Sequence, residues 1–445
     1  MKKGDLLYQQ YLNILTEELR PAMGCTEPIA LAYAGAKARQ LLGKLPETVE
    51  IGVSGNIIKN VKSVIVPNTG GLHGIGPAVC AGIIAGDPDK VLEVISTVTD
   101  DQRQQLHAYL KQIQPQIRPA NSCLIFDIDI TLTAGADQVR LRIVNHHTNI
   151  VLIEKNGHSL LEMPVTESSE DQLTDKSCLS IEKIVEFAEI LDVEDIRELV
   201  QRQIDCNMAI AAEGLDHSWG ANIGSVLLHR QGSLLSKRAA AYAAAGSDAR
   251  MSGCEKPVII ISGSGNQGIT ASVPVVVYAR DMGIEEDTLL RAVVVSDLVT
   301  IHQKTGIGRL SAYCGAISAG CGAGAGIAYL HGGRFHAIAH TVVNAIAILS
   351  GTICDGAKPS CAAKIAAAVD AGILGWEMYQ ENQQITKAIY SVENPLYKAL
   401  LIRRYINGET NEEISQNMNY EERHVRRLLK KAVDSINMSL NVRND

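Results

Sequence analysis

The sequence is poor in aromatic residues and has no large excess of charge. Aromatic side chains make up 4% of the 445 residues, whereas 38 residues are glycine. Small side chains let helix backbones approach closely, so this composition predicts tightly packed helices. With 46% hydrophobic and 20% charged residues, the chain is globular rather than intrinsically disordered. A formal net charge of −8 excludes a general attraction to nucleic acid or anionic lipid.

A secretory signal is also missing. The N-terminal residues include two lysines but no apolar run, and Asp5 follows them at once. We therefore expect a cytoplasmic protein, in which disulfides rarely persist. Most of the ten cysteines are then interpreted as small buried side chains. The cysteines interpreted in this way are Cys80, Cys123, Cys178, Cys206 and Cys254.

Three long uncharged stretches do not predict a membrane protein. Each is about long enough to cross a bilayer. One consists mostly of Gly and Ala, which gain little from lipid, and the others contain polar residues such as Asn266 and His340. We predict buried helices instead, and no membrane partner. The three stretches are Pro257–Ala279, Leu310–Gly333 and Phe335–Ile353.

The hydrophobic pattern predicts an α+β fold in three parts. Residues 1–180 form an α/β region on the substrate side, and residues 181–385 form a large helical catalytic region rich in Gly and Ala. Residues 394–445 form a small helical tail. An amphipathic helix opens the chain and stops at Pro21, and a loop follows it up to Pro28.

Strands are predicted within the first of these parts. Val49–Ser54, Val61–Val66 and Ile150–Ile153 are each rich in β-branched residues. Alternating apolar and charged residues further predict a hairpin in which Asp129 faces Arg142 across the two strands.

Two stretches contain cysteines in surroundings rich in glycine. Cys321 lies between two glycines, and Cys354 and Cys361 are seven residues apart across a turn. Small neighbours and thiolate ligands are what an iron–sulfur cluster requires. Spacing alone leaves two interpretations open, a cluster site or buried inert thiols, because this spacing is not a standard ferredoxin pattern.

Five motifs along the chain resemble one family, the L-cysteine desulfidases, which are relatives of the serine dehydratase α-chain. The resemblance covers roughly residues 5–380. The motifs occur in the same order and are GCTEP at Gly24–Pro28, SGNIIKN at Ser54–Asn60, SGSGNQG at Ser262–Gly268, AGCGAGAG at Ala319–Gly326 and CDGAKPSC at Cys354–Cys361.

This resemblance implies an iron–sulfur lyase. Cys321, Cys354 and Cys361 would hold a 4Fe–4S cluster whose fourth iron has no protein ligand. Such an iron acts as a Lewis acid. A base removes the α-proton of L-cysteine, sulfide leaves, and the product hydrolyses to pyruvate and ammonia. L-serine dehydratase activity by the same mechanism stays open as an alternative.

Other residues are candidates for catalysis or substrate binding. Cys25 precedes a predicted helix, whose N-terminus lowers a thiol pKa, and is interpreted as a base, a sulfur relay, an iron ligand or a packed thiol. Glu27 either orients the substrate ammonium or complements the helix dipole. His73 is a candidate proton carrier in the glycine loop Asn68–Pro77, whose backbone N–H groups suit an anion. The remaining substrate-binding candidates are Asn56, Lys59, Asn60, Asn68, Thr69 and Asn266.

A pyridoxal-phosphate lyase is the main enzymatic rival. Such an enzyme catalyses the same elimination, and the SGSGNQG motif would serve as its phosphate cup. The Schiff-base lysine would then be Lys256, Lys304 or Lys358. This interpretation leaves the cysteines in glycine-rich surroundings without a role.

The C-terminal tail resembles the helix-turn-helix of sigma factor region 4. Thr410 and Glu413 predict a capping box at the second of three helices, and a turn follows near Asn419. In that motif the third helix enters the major groove of DNA. The alternative is a basic helix that only mediates self-association, and we expect a homodimer. A DNA-binding sensor that uses the cluster also stays open. The candidate DNA-binding residues are Arg423, Arg426, Arg427 and Lys430.

Overall fold

The computed structural model describes residues 1–165, 173–308 and 311–441. The chain divides into two compact units, Met1–Trp376 and Glu377–Asp445, and each is described by itself. The fold is mixed α and β, as predicted, with its sheet in the N-terminal part and helices after it. Whether the first unit divides further near residue 180 stays a prediction.

Among the described residues, the N-terminal half of the first unit contains all but one of the strands. A six-stranded sheet has the order β3-β2-β4-β5-β6-β7, in which only β2 and β3 run parallel. Short 3₁₀ turns lie at Pro88–Glu93 and Val193–Asp195. The elements up to the end of the sheet are α1 (Leu6–Glu18), β1 (Arg20–Met23), α2 (Thr26–Leu42), β2 (Thr48–Val53), α3 (Gly55–Val61), α4 (Ile75–Ala85), α5 (Asp100–Gln112), β3 (Gln116–Pro119), β4 (Asp127–Ala134), β5 (Asp137–Val144), β6 (Ile150–Lys155) and β7 (His158–Glu162).

The rest of the first unit is helical apart from one short strand. Its elements are α6 (Ile181–Ile190), α7 (Arg197–Asp216), α8 (Ile223–Gln231), α9 (Leu235–Met251), β8 (Pro257–Ile260), α10 (Gly265–Met282), α11 (Glu286–Thr305), α12 (Gly315–Leu330), α13 (Phe335–Ile348) and α14 (Cys361–Tyr390), whose last turns belong to the second unit.

The predicted hairpin is confirmed. Asp129 on β4 lies opposite Arg142 on β5, as the alternation requires. The ion pairs run diagonally, because Arg142 binds Asp127 at 2.7 Å and Arg140 binds Asp129 at 2.8 Å. These charged pairs share one face of the sheet, while the apolar residues between them are buried against α2.

The strand predicted at Val61–Val66 is wrong. The helix α3 ends at Val61, and the only pairing in the segment is an isolated bridge between Ile65 and His73. Val64 and Val66 are buried. The run of valines therefore indicated burial and not strand pairing, a distinction that a short apolar run does not make.

The short strand β1 was not predicted, and it determines where the N-terminal loop lies. It pairs antiparallel with β8, with Arg20 opposite Ile260. Its partner is far away in the sequence, so no local pattern signals the pairing. The pairing places the loop after β1 beside the loop after β8, where Thr26 Oγ1 donates to the carbonyl oxygen of Gly263 at 2.9 Å.

Glycines permit the close helix contacts that the composition predicts. A Cβ atom on Gly82 of α4 would lie 1.9 Å from the carbonyl oxygen of Ala32 on α2. One on Gly320 of α12 would lie 2.3 Å from the carbonyl oxygen of Ala368 on α14. The described parts of the three uncharged stretches form α10, α12, α13 and β8, and Leu310 lies outside the described residues. Among the described residues, no helix has the length and apolarity that a membrane span requires.

The prediction of buried cysteines holds only in part. Cys80 and Cys254 are buried, whereas Cys178 and Cys206 are half-buried. Cys123 is exposed, because it lies in the loop between β3 and β4. A cysteine in a polar loop is not drawn into the core by its own small apolar surface.

The second unit is a small helical bundle with its own core. Thr410 and Glu413 form the predicted capping box, and Asn419 ends the helix in the left-handed conformation at φ 57°. The core consists of Leu400, Ile414, Val425, Leu428 and Leu429. A π-helical turn spans Ile402–Ile406, and the complete helices are α15 (Pro395–Leu401), α16 (Asn411–Met418) and α17 (Glu422–Asn441).

The contact between α2 and α4 predicts the effect of adding one methyl group. Gly82→Ala should lower the free energy of unfolding by about 1–3 kcal/mol, since the helix backbones must separate. The matched control is Gly306→Ala, which is exposed at the end of α11 with φ −72° and should change stability little. Urea unfolding of both variants measures the difference. Equal stabilities would contradict the close contact.

Candidate functional site

A buried cavity in the first unit collects most of the predicted site residues. Its volume is about 120 Å³. Four helices begin at its walls: α2, α10, α12 and α14. Loops at the edge of the large sheet and the ends of α3, α9 and α11 also contribute to the lining. The site is therefore built from helix N-termini, whose free N–H groups favour negative charge.

Among the described residues four cysteines line this cavity, and three of them lie on two neighbouring segments. An isolated antiparallel bridge joins Tyr313 to Ile353. Around it, the backbone N–H of Cys314 donates to the carbonyl of Thr352 at 3.1 Å, and that of Cys354 donates to the carbonyl of Ala312 at 2.7 Å. Cys361, the first residue of α14, lies on the same lining.

Cys321 lies elsewhere, and its predicted role as a cluster ligand stays a prediction. It is 1% exposed inside α12 and is not among the described residues that line the cavity. Cys314 is the N-cap of α12, and Cys321 lies about 10 Å further along the helix. The glycines beside Cys321 allow close helix packing, since a Cβ on Gly320 would lie 2.3 Å from the carbonyl oxygen of Ala368. The position of Cys314 directly before a helix start is the signal that could have identified it as a site residue.

The loop between Cys354 and Cys361 fits closely against α3. Gly356 has φ 100°, and a Cβ there would lie 2.4 Å from the carbonyl oxygen of Lys59. In return, Lys59 Nζ donates to the carbonyl oxygen of Cys354 at 3.5 Å. A glycine is thus needed both for the backbone conformation and for the contact.

Burial disfavours the thiolate forms of Cys25, Cys314 and Cys361. Burial raises the pKa values of Cys314 and Cys361. It also raises the pKa of Cys25 well above its ordinary value, and the negative charge of Glu27 raises it further. Cys25 and Cys314 are N-caps, and Cys361 opens its helix, so the helix dipoles offset part of this effect.

Glu27 is an ionised carboxylate inside the cavity. Its Oε2 accepts from Cys25 Sγ at 3.1 Å, and its Oε1 accepts from Asn60 Nδ2 at 2.8 Å. Burial alone would raise the pKa of Glu27, but the charge of His147 and these hydrogen bonds outweigh it and lower the pKa. A thiol and a carboxylate with pKa values pushed apart therefore share one hydrogen bond.

The structure places Lys59, Asn60 and Asn266 on the lining of the cavity, together with Cys25 and Glu27, and their roles there stay predictions. The structure does not place the glycine loop Asn68–Pro77 on the lining of the cavity.

The predicted residues in and near that loop have other positions. His73 is exposed and Asn56 is half-buried, and neither is among the described residues that line the cavity. Asn68 Nδ2 donates to the carbonyl of Ile95 at 2.8 Å, and Thr69 Oγ1 donates to that of Val66 at 2.7 Å. These side chains are used to shape the loop itself.

Sequence reasoning missed several residues of the cavity besides Cys314. Arg250 at the end of α9, His147 after β5 and Gln267 in α10 all line it. The His147 ring lies 4.9 Å from that of Phe126. Gln267 belongs to the SGSGNQG motif, so the sequence could have indicated it as a site residue. Arg250 and His147 lie outside every motif, because only the tertiary fold brings them to the cavity.

No single-ion site is formed by these groups. Within the described ranges, no three His, Cys, Asp or Glu side chains lie close enough together to bind one metal ion. The thiols surround the cavity instead of meeting at a point.

A buried cavity with cysteines, a perturbed carboxylate and buried cationic groups is typical of an enzyme active site. The chain belongs to the serine dehydratase alpha chain family, whose model matches residues 89–414. That family indicates a lyase-type enzyme.

Relatives of the chain are similar over most of their length. It is 59% identical over 384 residues to a UPF0597 protein of Desulfitobacterium hafniense, covering 86% of this chain and 89% of the relative. It is 47% identical over 368 residues to a UPF0597 protein of Lachnoclostridium phytofermentans, covering 83% and 88%. A UPF0597 protein of Treponema denticola is 45% identical over 377 residues, with the same coverage of 83% and 88%.

The contact between Cys25 and Glu27 predicts a shift in thiol reactivity. Because the Glu27 charge raises the pKa of Cys25, Glu27→Gln should move alkylation of Cys25 by iodoacetamide to lower pH. Peptide mapping by mass spectrometry of the metal-free chain measures this. Cys80 is the internal control, since burial alone raises its pKa to about 12. A Cys25 profile that stays in place, or moves to higher pH, would contradict the contact.

Proposed function

We propose that the protein is an iron–sulfur lyase that eliminates sulfide from L-cysteine and releases pyruvate and ammonia. L-serine dehydratase activity by the same mechanism is the alternative. The observation that carries the proposal is the set of three thiols, Cys314, Cys354 and Cys361, on the lining of one buried cavity.

The chemistry of these donors fits a 4Fe–4S cluster. Cysteine thiolates are the ligands that such clusters use, and each binds a different iron, so they surround a volume. Helix N-termini at two of the three thiols stabilise the negative charge of thiolates. The same donors do not form a single-ion site within the described parts of the chain. We propose that Cys314 takes the place first assigned to Cys321.

When bound, the cluster supplies an iron without a protein ligand that assists the leaving group as a Lewis acid. The chain supplies the acid and the base. Groups whose pKa values are pushed apart are suited to opposite roles. Glu27 is ionised and accepts the α-proton, whereas Cys25 is a thiol and donates its proton to the departing sulfur. The thiol then recovers its proton from Glu27 across their 3.1 Å hydrogen bond. This proton-donor role differs from the roles of base, sulfur relay and iron ligand that the sequence suggested for Cys25.

The proposed ligand set gives a prediction with a built-in control. Cys314→Ser, Cys354→Ser and Cys361→Ser should each lose most bound iron after anaerobic reconstitution, and with it sulfide release from L-cysteine. Cys321→Ser should keep its iron, because this thiol lies inside α12. Cys25→Ala should keep iron and lose turnover. Iron and acid-labile sulfide are measured beside sulfide and pyruvate.

Three outcomes would count against this reading. Iron loss in Cys321→Ser with full iron in Cys314→Ser would restore the ligand set first expected. A loaded wild type that releases neither sulfide from L-cysteine nor pyruvate from L-serine would refute the lyase. A sharp imine band in place of a broad absorbance that bleaches on reduction would favour pyridoxal phosphate.

We also propose that the second unit contacts DNA, because α17 exposes a basic face. Arg423, Arg426, Arg427 and Lys430 are all exposed and follow the i, i+3, i+4, i+7 spacing of one helix face. The order of α16, a turn and α17 supports the helix-turn-helix interpretation. Cluster-dependent binding would make the protein a sensor, and cluster-independent binding would make it a DNA-associated enzyme.

Fluorescence anisotropy of the full chain with mixed-sequence duplex DNA tests this second proposal. Arg423→Ala combined with Arg427→Ala should weaken binding, and affinity should fall steeply with salt as counterions are released. Lys387→Ala, at an exposed lysine on α14 in the same unit, is the matched control. Binding without salt dependence, or an equal effect of the control, would refute contact through α17.

A further inference from the structure

Arg250 is a buried cation without an anion. It is 2% exposed and ranks among the largest fully buried side chains. Its Nη1 donates to Asn266 Oδ1 at 3.0 Å and to Met251 Sδ at 3.5 Å, while Nε has no partner. Among the described residues, no carboxylate lies within ion-pair distance of it. A buried charge without a counter-charge is costly, so its retention in the cavity calls for a ligand of opposite charge.

The start of α10 increases this need for an anion. A Cβ on Gly265, its first residue, would lie 2.4 Å from Arg250 Nε, so only glycine leaves room for the guanidinium. A helix N-terminus carries partial positive charge, which repels a cation placed against it. An anion between the guanidinium and the free N–H groups of the helix would interact favourably with both.

Two acceptor atoms on the same cavity lack a donor. Asn60 Oδ1 and Gln267 Oε1 are buried and have no hydrogen-bond partner. The orientation of the Asn60 amide is set by its Nδ2, which donates to Glu27. An ammonium group has three hydrogens to donate and no acceptor, which suits two amide oxygens beside a carboxylate.

We propose that this cavity binds a zwitterionic α-amino acid, with Arg250 receiving its carboxylate and Asn60 and Gln267 its ammonium. The proposal rests on the lyase function for the identity of the substrate, and it names the recognition elements. Asn266 then acts as a positioning residue, because its amide oxygen holds Arg250 in place. Sequence reasoning had taken Asn266 itself as the substrate contact.

A rival role for Arg250 is to balance the charge of cluster thiolates. Arg250 acts electrostatically on both Cys25 and Cys361, so it lies near the proposed cluster. The two roles separate in the cluster-free protein. Recognition of the amino acid persists there, whereas charge balance has no function without the thiolates.

Isothermal titration calorimetry of the cluster-free full chain tests the proposal. The probes are L-serine, ethanolamine, which lacks the carboxylate, and 3-hydroxypropionate, which lacks the ammonium. L-serine should bind the wild type roughly tenfold or more tightly than either analogue, as expected for loss of a charged hydrogen bond. Arg250→Gln should weaken L-serine by about tenfold to a hundredfold and leave ethanolamine unchanged. Arg250→Lys should lie between, because a lysine keeps the charge but not the fork.

The control variant is Arg291→Gln, which removes an arginine that donates to the carbonyl of Ala188 away from the cavity. It should bind L-serine as the wild type does. Far-UV circular dichroism checks that each variant is folded, and a folded Arg250→Lys keeps the test valid if Arg250→Gln fails to fold.

The outcomes separate this proposal from the lyase. Wild type that binds none of the probes, or an Arg250→Gln chain that binds L-serine normally, would overturn the recognition proposal and leave the reaction untouched. If L-serine binds in a way that depends on Arg250 but the cluster-loaded chain shows no lyase activity, the recognition proposal stands and the lyase function is refuted. An Arg250→Gln chain that binds L-serine normally but loses iron would show that Arg250 balances the charge of the cluster thiolates.

Discussion

The convergence of helix N-termini on one buried cavity is the constraint on which the site depends. Helices α2, α12 and α14 begin with or directly after Cys25, Cys314 and Cys361. Burial disfavours thiolates, and the helix dipoles partly offset that cost. A cofactor that binds thiolates, a base and an amino acid are therefore proposed to share this cavity. The partial positive charges of these helix N-termini make the cavity favourable for negative charge even without a ligand.

The remainder of the first unit holds those helix starts in place. The pairing of β1 with β8 sets the Cys25 loop beside the loop that opens α10. The bridge between Tyr313 and Ile353 joins the segments of Cys314 and Cys354. Glycines in α4 and α12 let neighbouring helices approach to backbone contact. The low aromatic content fits this design, since bulky rings would separate the helices.

Local patterns predicted much of the fold and part of the site. The register of Asp129 against Arg142 follows from alternation, and the capping box at Thr410 from a spacing of three residues. Contacts between segments that are far apart in the sequence have no comparable local pattern. For that reason the sequence did not indicate that Cys314 and Arg250 line the cavity. The sequence alone does not show whether a glycine beside a cysteine makes room for a cofactor or for a neighbouring helix.

Mössbauer spectroscopy of the anaerobically loaded wild type, with and without L-serine, tests the central claim most directly. That claim is a cluster held by three cysteines, with one iron open to the substrate. The account predicts about four irons per chain, one of which is distinct and changes its parameters when L-serine is added. Four irons that do not respond to L-serine, or iron bound without inorganic sulfide, would contradict it.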